Sequence, residues 1–493
     1  DWHALCLPGS SENLERVMTN VIIGLPMLEV QVRRELELLA YPDKEWVRPL
    51  GAAQGQPILD CAIIGGGQVG LSIGFGLARE RVTNIRIFDE NKAGAEGPWA
   101  TFARMLTLRT PKLYSGPEHG LPSLTFRAWY EAQFGADGWE RLFRVGRKDW
   151  MNYLIWYRRV LGLPVQNETQ VTGITPVQDQ VLRLDLRGPD GASHVLARTV
   201  VIATGAAGVG SNHTPEIISS LPRHMWRHTN DSFDPALFRD KRVGILGAGA
   251  SAFDNAAAAM EAGALSVDLC FRRKELPLQN PRRFLEFAGF LAHYRNLPDD
   301  QKWAYLSHLY AISQPPPAPT FERAVAFPEV SLRPGTPWLS TSVNARGEVE
   351  VATPQGMLTF DFVIAATGVK ADLRIRPELS SFIDKVALWS DRYRPLLDRQ
   401  NDILSSFPYL GSNGQMLEKK PGEAPWLRRI FMMNRGATLS LGPTIASNSA
   451  LRYATPMVVS GVTSELFLDG AGDVLKDLVE VQHNELSPSV VAR

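Results

Sequence analysis

Short apolar runs that end in glycine-rich turns organise the first half of the chain. The run Ile58–Ile64 leads into three glycines, and an apolar stretch from Gln68 to about Arg79 follows. Another apolar run, Ile85–Phe88, comes next. A short strand, a helix and a second strand in this order form the βαβ unit from which doubly wound parallel sheets are built. We therefore predict an α/β fold that begins at about residue 57.

The same arrangement starts again in the middle of the chain. An apolar run over 243–246 precedes a turn of glycines and alanines, a helix predicted over 252–262 and an apolar run over 266–271. After each unit, polar and apolar residues alternate as in an antiparallel meander, over 169–187 with 194–202 and over 343–353 with 357–365. Both meanders end in Ala-Thr-Gly. This repetition predicts two Rossmann-like dinucleotide-binding domains in one chain.

A helical extension is predicted in front of the first unit, over residues 1–56. Apolar residues recur at helical spacing over 13–23 and 26–39, and a proline stands where the second helix would begin. The stretch 51–56 reads as a polar linker. We expect the extension to pack on the domain or to join copies of the chain in a homo-oligomer.

The first glycine-rich turn has the spacing of a dinucleotide-binding loop. Gly65, Gly67 and Gly70 form G-x-G-x-x-G between a strand and a helix, where free N–H groups and the helix dipole attract a pyrophosphate. Asp89 follows at the end of the second strand, where a carboxylate accepts hydrogen bonds from an unphosphorylated ribose. FAD meets that requirement. The neighbouring residues predicted to contact FAD are Gln68, Val69 and Glu90.

The second glycine-rich turn differs at the residues that would contact the ribose. Its strand ends in Arg272, Arg273 and Lys274 instead of an acid. Guanidinium groups bind a 2′-phosphate, which a carboxylate would repel. We therefore predict that this loop binds NADPH rather than NADH. The loop residues expected to hold the pyrophosphate are Gly247, Gly249, Ala250 and Ser251, in a G-x-G-x-x-A pattern.

Composition excludes several other classes of protein. The chain has 493 residues, and 52 basic side chains balance 52 acidic ones, so charge gives no reason to expect nucleic acid or an anionic membrane as a partner. Cys6, Cys61 and Cys270 form neither a C-x-x-C redox pair nor a zinc-binding spacing. We expect no metal. Since the sequence shows no export signal and no long apolar span, we expect a cytoplasmic protein that acts on a small molecule.

Taken together, these motifs resemble the class B flavoprotein monooxygenases. That group includes flavin-containing monooxygenases, Baeyer–Villiger monooxygenases and amine N-hydroxylases. The likeness covers about 57–370 and rests on both glycine loops, the basic strand end, both Ala-Thr-Gly segments and Gly97-Pro98-Trp99. It implies an FAD domain with an inserted NADPH domain. The further cofactor contacts that it implies are Trp99, Thr204, Gly205, Thr367 and Gly368.

The resemblance also implies a reaction. In the group, NADPH reduces the flavin, O2 forms a C4a-(hydro)peroxyflavin, and one oxygen atom passes to an organic substrate. Our candidates for catalytic residues are Arg104 and Arg109, which could stabilise the peroxide, and His228, which is similar to the histidine of the group's fingerprint. We expect N- or S-oxygenation or N-hydroxylation. Baeyer–Villiger oxidation of a ketone and NADPH-dependent flavin reduction without oxygen transfer are the alternatives.

These assignments divide the chain into four segments. The extension occupies 1–56, and the first part of the FAD domain occupies 57–210. The NADPH domain is predicted over 211–335, and the second part of the FAD domain, with the substrate cavity, over 336–493. The last segment carries no motif that identifies the substrate.

Overall fold

A computed structural model of the chain describes residues 24–39, 45–50, 55–114, 116–178, 180–481 and 485. Its strands are β1 Ile58–Ile64, β2 Ile85–Phe88, β3 Val165–Gln166, β4 Gln170–Gln178, β5 Val181–Gly188, β6 Gly191–Ile202, β7 Gly210–Asn212, β8 Trp226–His228, β9 Arg242–Leu246, β10 Ser266–Phe271, β11 Val330–Pro334, β12 Ser340–Val343, β13 Val349–Thr353, β14 Gly356–Phe360, β15 Phe362–Ala365, β16 Val369–Ala371 and β17 Ile430–Met432. Its α-helices are α1 Leu25–Leu38, α2 Gln68–Arg79, α3 Phe126–Arg141, α4 Arg147–Val160, α5 Glu216–Ser219, α6 Ala250–Glu261, α7 Pro281–Phe284, α8 Ala288–His293, α9 Asp299–Ile312, α10 Ala318–Val325, α11 Trp389–Arg392, α12 Asp402–Ser405, α13 Thr438–Leu441 and α14 Asn448–Glu480.

The first sheet contains the first βαβ unit. Its order is β3-β2-β1-β6-β5-β4, and β17 also pairs with β6. β1 is parallel to both β2 and β6, β17 is parallel to β6, and β4-β5-β6 is the predicted antiparallel meander. The carboxyl ends of β1, β6 and β17 therefore lie side by side, at the edge where doubly wound sheets bind ligands.

The second sheet is parallel, in the order β11-β10-β9-β15-β8. A small antiparallel sheet, β12-β13-β14, is inserted before its strand β15. The second domain therefore extends to about residue 366, beyond the boundary predicted at 335. The apolar run predicted as one strand over 357–365 is two strands, because the chain leaves the meander at Asp361 and joins the parallel sheet.

A two-stranded link carries the chain from the first sheet to the second and back again. β7 and β16 pair antiparallel there. A Cβ atom at Gly210 would lie 1.9 Å from the carbonyl oxygen of Lys370, so only glycine allows this approach of the two strands. The two crossings therefore lie side by side next to both Ala-Thr-Gly segments.

A helical segment between β10 and β11 departs from the predicted domain division. Leu285, Phe290, Tyr294 and Trp303, from α7 to α9 and the turns between them, are buried in the same core as Leu439 of α13. Residues 281–312 thus follow the second sheet in sequence but pack on the first domain. Their apolar faces are buried in the larger core of the first domain, and this burial favours the observed position.

The described part of the N-terminal extension also packs on the first domain. α1 confirms the second predicted helix, and its residues Leu28 and Val32 are fully buried in the main core. The carboxylate of Glu35 accepts hydrogen bonds from the backbone and hydroxyl of Ser123, at 3.2 and 2.7 Å. The predicted helix over 13–23, Cys6 and most of the linker lie outside the described residues. The homo-oligomer contact stays a prediction.

The long C-terminal helix α14 is fastened to the first sheet by buried charges. Asp469 accepts hydrogen bonds from Arg198 at 2.9 Å and from Arg429 at 2.6 Å, and all three side chains are almost fully buried. Arg198 also pairs with Asp60 at 3.1 Å. No helix in the described ranges has the length and apolar character needed to cross a membrane. Within the same ranges, no three metal-ligating side chains gather as a candidate metal site.

Candidate active site

In the first glycine-rich loop, a different steric reason explains the presence of glycine at each position. Gly65 has a φ of +108°, and a Cβ there would lie 2.6 Å from the carbonyl oxygen of Ala203. A Cβ at Gly70 would lie 1.9 Å from the oxygen of Gly65. Gly67 precedes α2 and has no atom within 4 Å of its Cβ position. The loop therefore packs tightly on β6 and leaves open space in front of the helix, which fits a pyrophosphate.

The second loop repeats this geometry. Gly247 has a φ of +135°, and a Cβ there would lie 2.4 Å from the oxygen of Ala366. Gly249 precedes α6 and is open like Gly67. Ala252, at the third position of the motif, is fully buried, so a methyl group fits where the first loop needs glycine. In both loops, the first glycine contacts the alanine of an Ala-Thr-Gly segment.

Asp89 holds the first loop in shape. One of its carboxylate oxygens accepts the N–H of Gly66 at 2.7 Å, and the other accepts the backbone and side-chain N–H groups of Asn91, at 2.8 and 3.0 Å. The side chain is buried, whereas that of the next residue, Glu90, is exposed. The ribose contact predicted for Asp89 and the FAD contact predicted for Glu90 stay predictions.

The basic residues after β10 are free to meet a ligand. Arg272, Arg273 and Lys274 are all exposed, and in the described part of the chain their charged groups form no hydrogen bond or ion pair. They stand at the carboxyl end of the strand that follows α6. Three unpaired cations at this position match a 2′-phosphate. Ser251, at the start of α6, is exposed as well.

The two Ala-Thr-Gly segments are held by different partners. The hydroxyl of Thr204 accepts a hydrogen bond from the amide of Asn434 at 3.1 Å, and the carbonyl of Gly205 accepts the N–H of Arg435 at 3.4 Å. In the second segment, the hydroxyl of Thr367 donates to the carbonyl of His213. The carbonyl of Gly368 accepts the N–H of His213 at 2.8 Å. Both segments therefore border the crossings between the domains.

The catalytic role predicted for His228 stays a prediction, but both nitrogens of its ring already have backbone partners. Its Nε2 donates to the carbonyl of Gly368 at 3.0 Å, and its Nδ1 accepts the N–H of Asn230 at 3.1 Å. The ring is almost completely buried, and burial lowers the pKa of His228. With both nitrogens engaged by the backbone, His228 joins β8 to the second Ala-Thr-Gly segment.

The structure also changes the interpretation of Arg104 and Arg109. Nη2 of Arg104 donates to the carbonyl of Phe233 at 2.5 Å, and its guanidinium lies 4.5 Å from the centre of the Phe233 ring. Nη2 of Arg109 is 3.1 Å from a carboxylate oxygen of Asp254 in α6. Both arginines therefore connect the first domain with the second. Their predicted role in stabilising a peroxide stays a prediction, and each guanidinium already has one partner across this interface.

Trp99 is half-buried beside the main core. Its carbonyl accepts a hydrogen bond from Nη1 of Arg147 at 2.5 Å, which ties the segment after β2 to the start of α4. Burial lowers the pKa of Arg147. The predicted contact between Trp99 and the flavin stays a prediction.

Sequence reasoning missed a turn at the start of α14, residues 443–449. The side-chain amide of Gln68, at the start of α2, donates to the carbonyl of Ala446 at 3.0 Å, and its oxygen accepts the indole N–H of Trp150 at 3.2 Å. Hence the N-terminus of the 33-residue helix α14 lies beside the first glycine loop. The available signal was Ser447 ahead of a long helical run, since serine commonly precedes a helix.

A cavity of about 570 Å³ adjoins the first loop at Gly66 and runs along α4. Two arginines on its wall are already paired, Arg158 with Glu96 at 2.9 Å and Arg159 with Glu29 at 2.6 Å. The rest of its lining is mostly apolar. Its walls thus offer an apolar recess next to the dinucleotide loop.

Two family models match the parts of the chain that contain the two loops. A family model described as FAD-NAD(P)-binding matches residues 62–207, and one described as L-lysine 6-monooxygenase/L-ornithine 5-monooxygenase matches 139–309. The chain is 41% identical over 449 residues to an FAD-dependent urate hydroxylase of Xanthomonas campestris pv. campestris. That alignment covers 91% of this chain and 94% of the relative.

Solved structures share the fold. An ornithine hydroxylase of Pseudomonas aeruginosa superposes with a TM-score of 0.64 at 16% identity, over 83% of this chain and 100% of the other. A flavin-containing monooxygenase of Stenotrophomonas maltophilia superposes with a TM-score of 0.52 at 20% identity, over 82% and 98%. The near full-length relative, the matching family models and the two glycine loops agree: the chain belongs to the class B flavoprotein monooxygenases, which bind FAD and a nicotinamide dinucleotide.

Proposed function

We propose that this enzyme hydroxylates urate, or a closely related oxidised purine, with FAD, NADPH and O2. The observation that carries the proposal is the identity of 41% to a urate hydroxylase over nearly the whole of both chains. This proposal differs from the heteroatom oxygenation expected from the sequence, because the oxygen atom would hydroxylate a ring instead. An electron-rich heterocycle suits the same chemistry, because it also accepts an electrophilic oxygen atom.

The geometry of the two loops supports the pairing of cofactors. Gly67 and Gly249 each leave room at the start of a helix, where N–H groups attract a pyrophosphate. Among the residues that the structure describes, the exposed guanidinium groups of Arg272 and Arg273 have no partner, which favours NADPH over NADH at the second loop. Bound FAD would take a hydride from NADPH and supply the oxygen-activating chemistry that no side chain can.

The protein's own residues orient the cofactors and exclude water. Gln68 joins the first loop to the turn before α14, and the positive end of α14 would favour negative charge on the flavin ring. Arg282 and Glu286, from the segment 281–312, contact the same turn and help to cover it. Such a closed site suits a reaction in which water must be kept from the activated oxygen.

A direct assay tests the proposed function. Purified enzyme loaded with FAD is supplied with NADPH, urate and air, and urate consumption, O2 consumption and hydrogen peroxide are measured together. We expect O2 and urate to disappear in equal amounts and little peroxide to accumulate. Steady NADPH oxidation that converts all O2 to hydrogen peroxide and leaves urate intact would contradict the proposal and favour a reductase.

N-hydroxylation of an amine is a second candidate. The observation in its favour is the match of residues 139–309 to the lysine and ornithine monooxygenase model. The same assay with lysine and ornithine separates the two candidates, since the hydroxylated products differ from those of urate. A ketone substrate would yield an ester and thereby favour the Baeyer–Villiger alternative.

A further inference from the structure

Arg282 is a partly buried arginine with most of its hydrogen-bonding capacity unused. Its Nη1 donates to the carbonyl of Pro443 at 2.7 Å. No other hydrogen bond or ion pair of its guanidinium occurs within the part of the chain that the structure describes. Burial lowers the pKa of Arg282, and the charge of Arg435 acts in the same direction. Since a guanidinium carries five N–H donors, several remain for a ligand.

A carboxylate accompanies this arginine four residues further along. Oε1 of Glu286 accepts a hydrogen bond from the hydroxyl of Ser449 at 3.1 Å. Burial raises the pKa of Glu286, and the hydrogen bond from Ser449 and the charge of Arg283 oppose that shift. Arg282 and Glu286 therefore place one donor group and one acceptor group against the same turn, residues 443–449.

This turn connects the pair to the flavin site. Its residue Ala446 accepts a hydrogen bond from Gln68, at the start of the helix that follows the first glycine loop. Gln68 thus contacts the turn from the loop, while Arg282 and Glu286 contact it from the helical segment. Only the turn 443–449 would therefore separate a molecule bound against Arg282 from the first loop.

We propose that Arg282 and Glu286 recognise the substrate, and that their chemistry selects a planar, anionic heterocycle with alternating carbonyl and N–H groups. The guanidinium would donate to a ring carbonyl or deprotonated nitrogen, and the carboxylate would accept from a ring N–H. Urate is an anion at neutral pH and has such an edge. This inference rests on the proposed function and adds the residues that define its substrate.

Neighbouring arginines provide a matched test. Arg282→Gln removes the charge at the site, and Arg283→Gln removes the charge from an exposed side chain next to it. In FAD-loaded enzyme with saturating NADPH, we expect Arg282→Gln to raise the KM for urate about 10- to 100-fold, as befits the loss of a charge-assisted hydrogen bond. Arg283→Gln, which removes a charge that acts on Glu286, should change the KM far less than Arg282→Gln does. Glu286→Gln should raise it about tenfold.

The dependence of KM on pH separates recognition from a structural effect through Pro443. In the wild type, the KM for urate should rise as the pH falls through the first ionisation of urate, because the anion binds Arg282. Arg282→Gln should lose that dependence, whereas Arg282→Lys should keep it. A structural role would instead lower kcat and FAD retention equally at every pH.

Each outcome decides the inference. If the wild type hydroxylates urate and Arg282→Gln behaves like Arg283→Gln, the role assigned to Arg282 is wrong and the proposed function stands. If the wild type reduces its flavin with NADPH but never consumes urate, the proposed function fails, and the inference fails with it. If Arg282→Gln alone raises the KM for urate and removes its dependence on pH, the result supports both the proposed function and the role assigned to Arg282.

Discussion

Nη2 of Arg109 lies 3.1 Å from Oδ2 of Asp254, so an arginine of the FAD domain is ion-paired with a carboxylate in the helix that begins at the second glycine loop. Asp254 is buried, and the hydroxyl of Thr320 donates to its other oxygen at 3.2 Å. Burial raises the pKa of Asp254, and the charge of Arg109 opposes that shift. The ion pair therefore helps to fix the position of the two cofactor loops relative to each other.

Loss of this ion pair should slow the transfer of a hydride between the cofactors. Asp254→Asn keeps the shape of the side chain but removes its charge. We expect NADPH-driven reduction of the bound flavin, followed by stopped-flow absorbance, to slow about tenfold, equivalent to about 1.4 kcal/mol. Glu131→Gln, which breaks an ion pair with Arg127 inside α3, is the control and should not alter the rate. An unchanged rate in Asp254→Asn would show that the pair does not align the domains.

The preference for NADPH should depend on the basic end of β10. Replacement of both Arg272 and Arg273 by Gln removes the cations assigned to the 2′-phosphate. We expect the KM for NADPH to rise at least about tenfold, since charged hydrogen bonds contribute about 1.5–3 kcal/mol, while the KM for NADH changes little. Arg346→Gln, in an exposed turn of the small sheet, is the control. An equal loss with both nucleotides would contradict the assignment.

Two glycines of the first loop should respond differently to alanine. Gly67 has an ordinary negative φ and open space at its Cβ position, so Gly67→Ala should fold normally but lose FAD, because the methyl group occupies the pyrophosphate space. Gly70→Ala would place a methyl group against the oxygen of Gly65 and should fail to fold. Thermal melts and flavin absorbance after gel filtration check both variants. Retention of FAD by Gly67→Ala would refute the proposed cradle.

The buried ion pairs of α14 should dominate its stability. Burial alone would raise the pKa of Asp469, but hydrogen bonds from Arg429 and Arg198 outweigh burial and lower it. The stabilisation is therefore fully present above the unfolded pKa of about 4 and is lost as the pH falls through the lower folded pKa. Asp469→Asn should lower the free energy of unfolding by about 3–5 kcal/mol at neutral pH, because two buried arginines lose their partner.

An exposed residue of the same helix gives the control. Asp473 pairs with Lys476 at 2.9 Å on the surface, and Asp473→Asn should leave the free energy of unfolding close to that of the wild type. Urea titrations at neutral pH measure both variants. The difference between Asp469→Asn and the wild type should narrow only below about pH 4. A difference that already vanishes at pH 6 would contradict the assigned pKa shift.

Local sequence patterns were sufficient to predict the strands and helices around the two glycine loops. The ranges of β1, β2, α2 and β10 match the prediction, since apolar runs bounded by glycine leave little ambiguity about where strands and helices end. The steric roles of Gly65 and Gly70 also follow from the motif.

The roles of residues whose partners lie far away in the sequence could not be predicted. His228 binds Gly368, and Arg109 binds Asp254, over separations of 140 and 145 residues that no local pattern reveals. The segment 281–312 packs on the first domain although it follows a strand of the second. Only the assembled core determines which surface its apolar faces meet.

We propose that flavin at the first loop receives electrons from the nicotinamide at the second and delivers oxygen from O2 to the substrate. The most direct measurement is the incorporation of isotopically labelled O2 into the product of FAD-loaded enzyme supplied with NADPH and urate. We predict hydroxylated product that carries one labelled oxygen atom from O2. Product whose new oxygen comes only from water, or label recovered only as hydrogen peroxide beside unchanged urate, would contradict the account.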